Sequence, residues 1–166
     1  SPIQNIGAYG VEVKNYIYGV NGIDLKNKIK KTYSNKLCNF EYRNSIFKKE
    51  LKNNFFVTEV TFILNKNKKF VLDYAELKNI NKENLTIQNV RDKIIEIRNS
   101  KLPNPKSLAN AGSFFKNPVI NIKIAKKIIK KYNDFKYYQI NESMVKISAA
   151  WLIEKNGWKG YKEKNI

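Results

Sequence analysis

Apolar and polar positions alternate most clearly from Phe55 to Leu64, where Phe56, Val60, Phe62 and Leu64 fall on one side and Glu59 and Thr61 on the other. A period of two predicts a half-buried strand with the apolar set turned inward. Upstream, Tyr16, Ile17, Tyr18, Val20 and Ile23 give residues 15–25 a β-favouring composition. Two turns compete here. Asn21-Gly22 is a hairpin dipeptide, but Lys26-Asn27-Lys28 serves equally, leaving Gly22 as a bulge in a longer strand. Asn65 to Lys69 reads as a polar turn, Phe70-Val71-Leu72 as a short returning strand, and Asp73 to Leu77 as a loop or a single helical turn.

The period changes to 3.6 at residues 87–99, where Ile87, Val90, Ile94 and Ile97 share a face and Thr86 stands at the N-cap position. Residues 121–132 repeat the pattern, with Ile122, Ala125, Ile128, Ile129 and Tyr132 inward and lysines outward. A third helix is predicted from Ser148 to Lys155, ending near Gly157. Between the first two helices, Pro103 and Pro105 mark a boundary. The pattern predicts an α+β chain: a mainly antiparallel sheet with helices over residues 1–102, then a smaller α/β unit over 103–166.

Composition narrows the chemistry. The 166 residues contain no histidine and one cysteine, Cys38, so Ser-His and Cys-His mechanisms, internal disulfides and thiolate-imidazole metal clusters are excluded. Proton transfer falls to Ser, Tyr, Lys, Asp, Glu or Cys. No apolar run reaches the ~18 residues of a membrane span and no signal peptide opens the chain, so a cytoplasmic protein with no membrane partner is expected. The net charge of +18 suggests a nucleic-acid-binding module as an alternative. Against it, Arg43, Arg91 and Arg98 are the only arginines, and lysine is spread along the whole chain beside abundant Asn and Ile, as drift toward AT-rich codons would leave it. Lys126-Lys127, Lys130-Lys131 and the Lys66 to Lys69 cluster suit weak polyanion contact, and no specific nucleic-acid partner is expected.

Several segments are chemically loaded. Asn110 to Pro118 packs a glycine, a hydroxyl, two aromatics and a cation into nine positions. Gly112 there permits close backbone approach or a positive φ, and Phe114 and Phe115 are expected to anchor the polar groups in apolar surroundings. An Ala-Gly turn entering a half-buried strand accounts for the same residues. Pro2 to Gly10 combines two glycines with polar amides, suited to presenting backbone N–H groups to an anion or simply to a turn. Tyr42-Arg43-Asn44-Ser45 sets an arginine among aromatics, which fits a guanidinium fixing a carboxylate or phosphate, or an ordinary surface ion pair.

In order, SPIQNIGAYGVEV at 1–13, YRNSIFK at 42–48, KLPNPK at 101–106, NAGSFFKNP at 110–118 and the weaker KISAAWLIE at 146–154 resemble the UDP-N-acetylenolpyruvoylglucosamine reductases, flavoenzymes of bacterial peptidoglycan precursor synthesis. Asp73 to Leu77 looks like the tyrosine-bearing loop of their type I subgroup. The resemblance implies that NADPH reduces bound FAD, and that the flavin passes hydride to the enolpyruvyl group of UDP-N-acetylglucosamine enolpyruvate, giving UDP-N-acetylmuramate. It implies that Ser113 protonates the enolate-like carbon and that Arg43 polarises the substrate carboxylate. Tyr74, Lys101 and Asn117 would hold the UDP-sugar, and Ile3, Gln4, Asn5, Gly7, Ala8, Tyr9 and Gly10 would line the flavin. Members of the family are about twice as long, with flavin-binding strands ahead of this region and a catalytic glutamate beyond it. The chain is therefore expected to be an internal fragment, 1–102 from an FAD-binding domain and 103–166 from the substrate-binding domain, that alone binds FAD poorly and turns over no substrate. A nonfunctional remnant of such a reductase is the other reading of its length.

Overall fold

The computed structural model describes residues 1–66, 69–83, 85–161 and Glu163, so Asn67 and Lys68 of the polar turn and lysine cluster lie outside the described residues. The chain divides into two compact units, Ser1–Ala109 and Asn110–Ile166. Both combine antiparallel strands with helices, which makes the fold α+β as expected.

The first unit opens with a small ladder, β1 (Gly7–Ala8) against β2 (Val11–Glu12). Its main sheet is β3 (Ile17–Asp24) flanked by β4 (Ile29–Ser34) and β5 (Phe55–Phe62), all antiparallel. Of the two candidate turns, the second forms. Asp24 Oδ1 accepts the N–H groups of Lys26 and Asn27, each at 3.0 Å, an Asx turn that closes β3 onto β4. Gly22 sits inside β3, where the pairing with β5 shifts register between Asn21 and Gly22. Asn21 pairs with Glu59 and Gly22 with Val57, so Thr58 is the extra residue of a bulge.

The facing of β5 differs from the expected one. Phe55, Val57 and Val60 turn toward the core, whereas Phe56, Phe62 and Leu64 are 60%, 45% and 76% exposed. The extra residue Thr58 separates Phe56 from Val60 and reverses the parity between them, while Phe62 sits at a second register shift, between Ile17 and Gly19, and Leu64 lies beyond the end of the strand. A Cβ on Gly22 would overlap the Phe55 ring and the Phe56 carbonyl oxygen. Gly22→Ala is accordingly expected to lower stability by about 2 kcal/mol or more, read from the urea midpoint of the chain.

Ile17, Val20 and Cys38 form the buried centre of this unit, with Tyr33, Phe40, Phe47, Val57 and Val60 packed around them. Tyr33 lies edge-on to both Phe47 and Phe55, at 5.6 and 5.2 Å between ring centroids. Cys38 is fully buried, and burial pushes its thiol up to about 11. The folded chain is expected to resist a thiol reagent at pH 8 and to react fully in denaturant; rapid reaction of the folded chain would contradict this packing.

Phe70 to Leu72 forms no strand, contrary to expectation. The following segment makes a 3₁₀ turn over Ala75–Asn79, with Leu77 buried beneath it. Helix α1 (Ile87–Lys101) starts as its sequence predicts, the Thr86 hydroxyl accepting the Asn89 N–H at 3.1 Å. Ile97 is buried, while Ile87, expected on the same face, is 54% exposed.

In the second unit, β6 (Val119–Asn121), β7 (Tyr137–Gln139) and β8 (Met144–Ile147) form an antiparallel sheet in the order β6-β8-β7. Helices α2 (Ile122–Lys131) and α3 (Ala149–Lys155) belong to this unit, and its core is Ala125, Phe135, Val145 and Ile147 with Ile122, Ile128, Trp151 and Leu152 against it. Among the described residues no helix is long and apolar enough to cross a membrane.

Candidate functional site

The 41–45 segment is built to hold the 3–7 loop. Glu41 and Asn44 exchange backbone hydrogen bonds, Glu41 N–H to Asn44 O at 3.1 Å and the reverse at 3.3 Å, so Tyr42 and Arg43 form the tip of a tight turn. Arg43 takes a left-handed φ of 55°, a conformation that is costly for a residue with a side chain. From there its guanidinium donates from Nη1 to Asn5 O at 2.9 Å and from Nη2 to Gly7 O at 2.6 Å. It also lies over the Tyr42 ring, 5.1 Å from the centroid. Ser45, itself buried, donates its hydroxyl to Ile3 O at 2.5 Å.

Asn5 completes the clamp from the other side. It is fully buried, with a left-handed φ of 53°. Its amide nitrogen donates to Glu41 O at 2.9 Å and to Glu12 Oε2 at 3.2 Å, and its oxygen accepts the Lys14 N–H at 3.0 Å. Burial alone would raise the Glu12 carboxyl, but hydrogen bonds from Asn5 and Lys14 and the charges of Lys14 and Arg43 outweigh it and hold the group below its usual range. Gly7 is required by contact: a Cβ there would lie 2.9 Å from Val11 O and 3.2 Å from Arg43 Nη1. Among the seven predicted loop residues, Asn5 and Gly7 thus serve the loop's own fold, while Gln4, Ala8 and Gly10 are exposed.

Farther along the loop, Tyr9 and Gly10 carry left-handed φ values of 51° and 82°. The Tyr9 ring stands edge-on to Tyr74, with centroids 6.0 Å apart, and a Cβ on Gly10 would come within 3.0 Å of Val71 and 3.4 Å of Tyr74. Lys101, the last residue of α1, pairs with Glu76 Oε1 at 2.8 Å. The Glu76 hydrogen bond raises the ammonium's affinity for its proton, with smaller contributions from Tyr9 and Tyr74, and the carboxyl is lowered in turn. Loop 3–10, Arg43, Tyr74 and Lys101 are therefore drawn into one region of the first unit. Glu12, Ser45 and Glu76 are the participants that motif reading did not single out. Ser45 and Glu76 lay inside quoted motifs, and Glu12 inside the first.

In the second unit, Gly112 has a φ of 62° and nothing within 4 Å of where a Cβ would stand, so it supplies the turn and not a close approach. Ser113 is exposed. Phe114 and Phe115 stack edge-on at 5.2 Å but are 78% and 63% exposed, which corrects the expectation that they anchor this segment in apolar surroundings. Asn117 Oδ1 accepts the Ala149 N–H at 3.0 Å, tying the segment to the first turn of α3. Two open concavities, one beside Asn39–Glu41 and one between Tyr16 and Ile63–Lys66, contain none of the predicted site residues. No grouping of acidic or sulfur side chains among the described residues suits a metal ion.

Comparison with known proteins converges on one family. Residues 104–166 match the family model described as UDP-N-acetylenolpyruvoylglucosamine reductase, C-terminal domain. A protein of that name from Flavobacterium johnsoniae is 45% identical over 165 residues, covering 96% of this chain and 49% of its own length. Its namesake from Bdellovibrio bacteriovorus is 42% identical, with 98% of this chain and 49% of the relative covered, and that from Aliivibrio fischeri is 46% identical, with 98% and 46% covered. The chain spans about half the length of the curated relatives it matches. At this level of identity, across nearly the whole chain and through both compact units, the chain is similar to about half of a UDP-N-acetylenolpyruvoylglucosamine reductase.

Proposed function

We propose that this chain supplies part of the active site of an NADPH-dependent, FAD-containing reductase that converts UDP-N-acetylglucosamine enolpyruvate to UDP-N-acetylmuramate. The observation that carries the reading is the convergence of loop 3–10, Arg43, Tyr74 and Lys101 in one region of the first unit. The names of the relatives supply the substrate class.

By this reading the flavin would lie against the exposed residues of loop 3–10. Gln4, Ile6, Ala8 and Gly10 are exposed there, offering small and apolar contacts with one amide, while the inner edge is fixed by Arg43, Ser45 and Asn5. Bound FAD would supply the hydride, obtained from NADPH. The chain's own groups do the rest. Two of the five guanidinium N–H donors of Arg43 are used on the loop carbonyls, and the fork has donors left to polarise a substrate carboxylate. By this reading Lys101 and Tyr74 bind the sugar diphosphate, and Asn117 is assigned to substrate binding as well. Ser113 holds the proton that completes addition across the enolpyruvyl double bond. A serine hydroxyl is a weak acid, so that role requires adjacent positive charge and exclusion of water when substrate is bound.

The second unit by this reading belongs to the substrate-binding domain and the first to the FAD-binding domain. In a full-length reductase carrying this segment, steady-state NADPH oxidation beyond one equivalent per flavin should depend on both FAD and the enolpyruvyl substrate; the 166-residue chain alone should show neither firm FAD binding nor turnover. Failure of the full-length protein to form UDP-N-acetylmuramate from NADPH and the enolpyruvyl substrate would overturn the assignment.

A further inference from the structure

Helix α2 reads Ile-Lys-Ile-Ala-Lys-Lys-Ile-Ile-Lys-Lys and contains no acidic residue. Lys123, Lys126, Lys127, Lys130 and Lys131 all fall within an arc of about 140° on the helical wheel. All five are exposed. Ile122, Ala125 and Ile128 on the opposite side belong to the core of the second unit, so the lysine arc is fixed facing away from it. Spacings of three and four residues place like charges next to one another repeatedly, and each such pair opposes the helix. Helix α1 of the same chain behaves differently: Lys93 pairs with Glu96, Arg91 with Asp92 and Lys101 with Glu76. Among the described residues, none of the five α2 lysines has a carboxylate within ion-pair distance.

We infer that the lysine face of α2 is a docking surface for an anionic lipid bilayer. Charge complementarity points to a polyanion, and the borders of the arc select the bilayer. Ile124 and Ile129 flank the lysines on either side and are 51% and 41% exposed, which suits the boundary between headgroups and acyl chains and is of no use against a phosphodiester backbone. The second unit also contains no arginine, the side chain best suited to clamping nucleic-acid phosphates and reading base edges. A polybasic helix face of this size adsorbs to an anionic surface without spanning it, each lysine contributing separately. The expectation of no membrane partner rested on the lack of a spanning segment, and adsorption of this kind needs none.

The test is co-sedimentation of the full chain with vesicles of phosphatidylcholine, with and without about one-third phosphatidylglycerol. Two variants of equal net charge are compared: Lys126→Gln/Lys127→Gln/Lys130→Gln on α2, and Lys26→Gln/Lys28→Gln/Lys30→Gln across the β3–β4 turn and the start of β4. Glutamine keeps helix propensity near that of lysine, and circular dichroism checks that both variants fold. Binding to the anionic vesicles alone is expected, weakened on the order of 100-fold by the α2 variant and no more than about twofold by the turn variant. Equal weakening by the two variants would show diffuse charge and overturn the proposal. So would failure to bind the anionic vesicles, or α2-dependent affinity for a random DNA duplex that exceeds the affinity for vesicles.

Discussion

Replacing Arg43 by alanine is expected to lower the stability of the chain by about 3 kcal/mol, from two charge-assisted hydrogen bonds lost to the Asn5 and Gly7 carbonyls. Alanine keeps the Cβ that makes the left-handed φ of 55° costly, so no relief of strain offsets the loss. In a full-length reductase the same change is expected to reduce kcat/KM by about 10³-fold, the scale of removing a donor aimed at developing negative charge. Arg43→Lys separates the two contributions. Lysine keeps the charge but lacks a planar fork able to reach two carbonyls at once, so it should recover part of the stability and little of the rate. Hydrogen exchange gives the local readout: protection of amides in the 3–14 segment, including the Lys14 N–H bonded to Asn5, should fall in Arg43→Ala. An unchanged urea midpoint with unchanged protection there would contradict the clamp.

The helices were the legible part of this fold. Thr86 caps α1 as its hydroxyl predicts, and Ser148, expected as the first residue of the third helix, caps α3 in the same way, because a cap is a local interaction written within four residues. The sheets were less so. Alternation announced β5, but the bulge at Thr58 depends on how β3 pairs with it, and no reading of β5 alone contains that partner. The three strands of the second unit are three or four residues long, too short to show a period, and their existence follows from the core that α2 and Val145 build together.

For the candidate site, motif order brought forward Arg43, Tyr74, Lys101 and loop 3–10. What it did not contain was direction. Asn5 looks from its residue type like a ligand-facing amide, yet it is buried and bonded to Glu12, Glu41 and Lys14. Phe114 and Phe115 look like anchors and are largely exposed. Residue type sets what a side chain can bond, whereas its surroundings decide which bonds it makes, and those arise from contacts distant in sequence.

The role of Ser113 is the most exposed part of the proposal, because it asks an ordinary hydroxyl to act as an acid. Removing it should leave intact the reduction that precedes proton delivery, since Ser113 has no part in that half of the reaction. General acid catalysis accounts for about 10²- to 10⁴-fold in rate, and a hydroxyl replaced by hydrogen leaves only water to substitute for it. The deciding measurement is therefore a pair of stopped-flow traces on a full-length reductase carrying Ser113→Ala. Bleaching of the flavin by NADPH should proceed within about twofold of the unsubstituted enzyme, while reoxidation by UDP-N-acetylglucosamine enolpyruvate, with formation of UDP-N-acetylmuramate, should slow by about 10³-fold or more. Reoxidation at the unsubstituted rate would contradict the account.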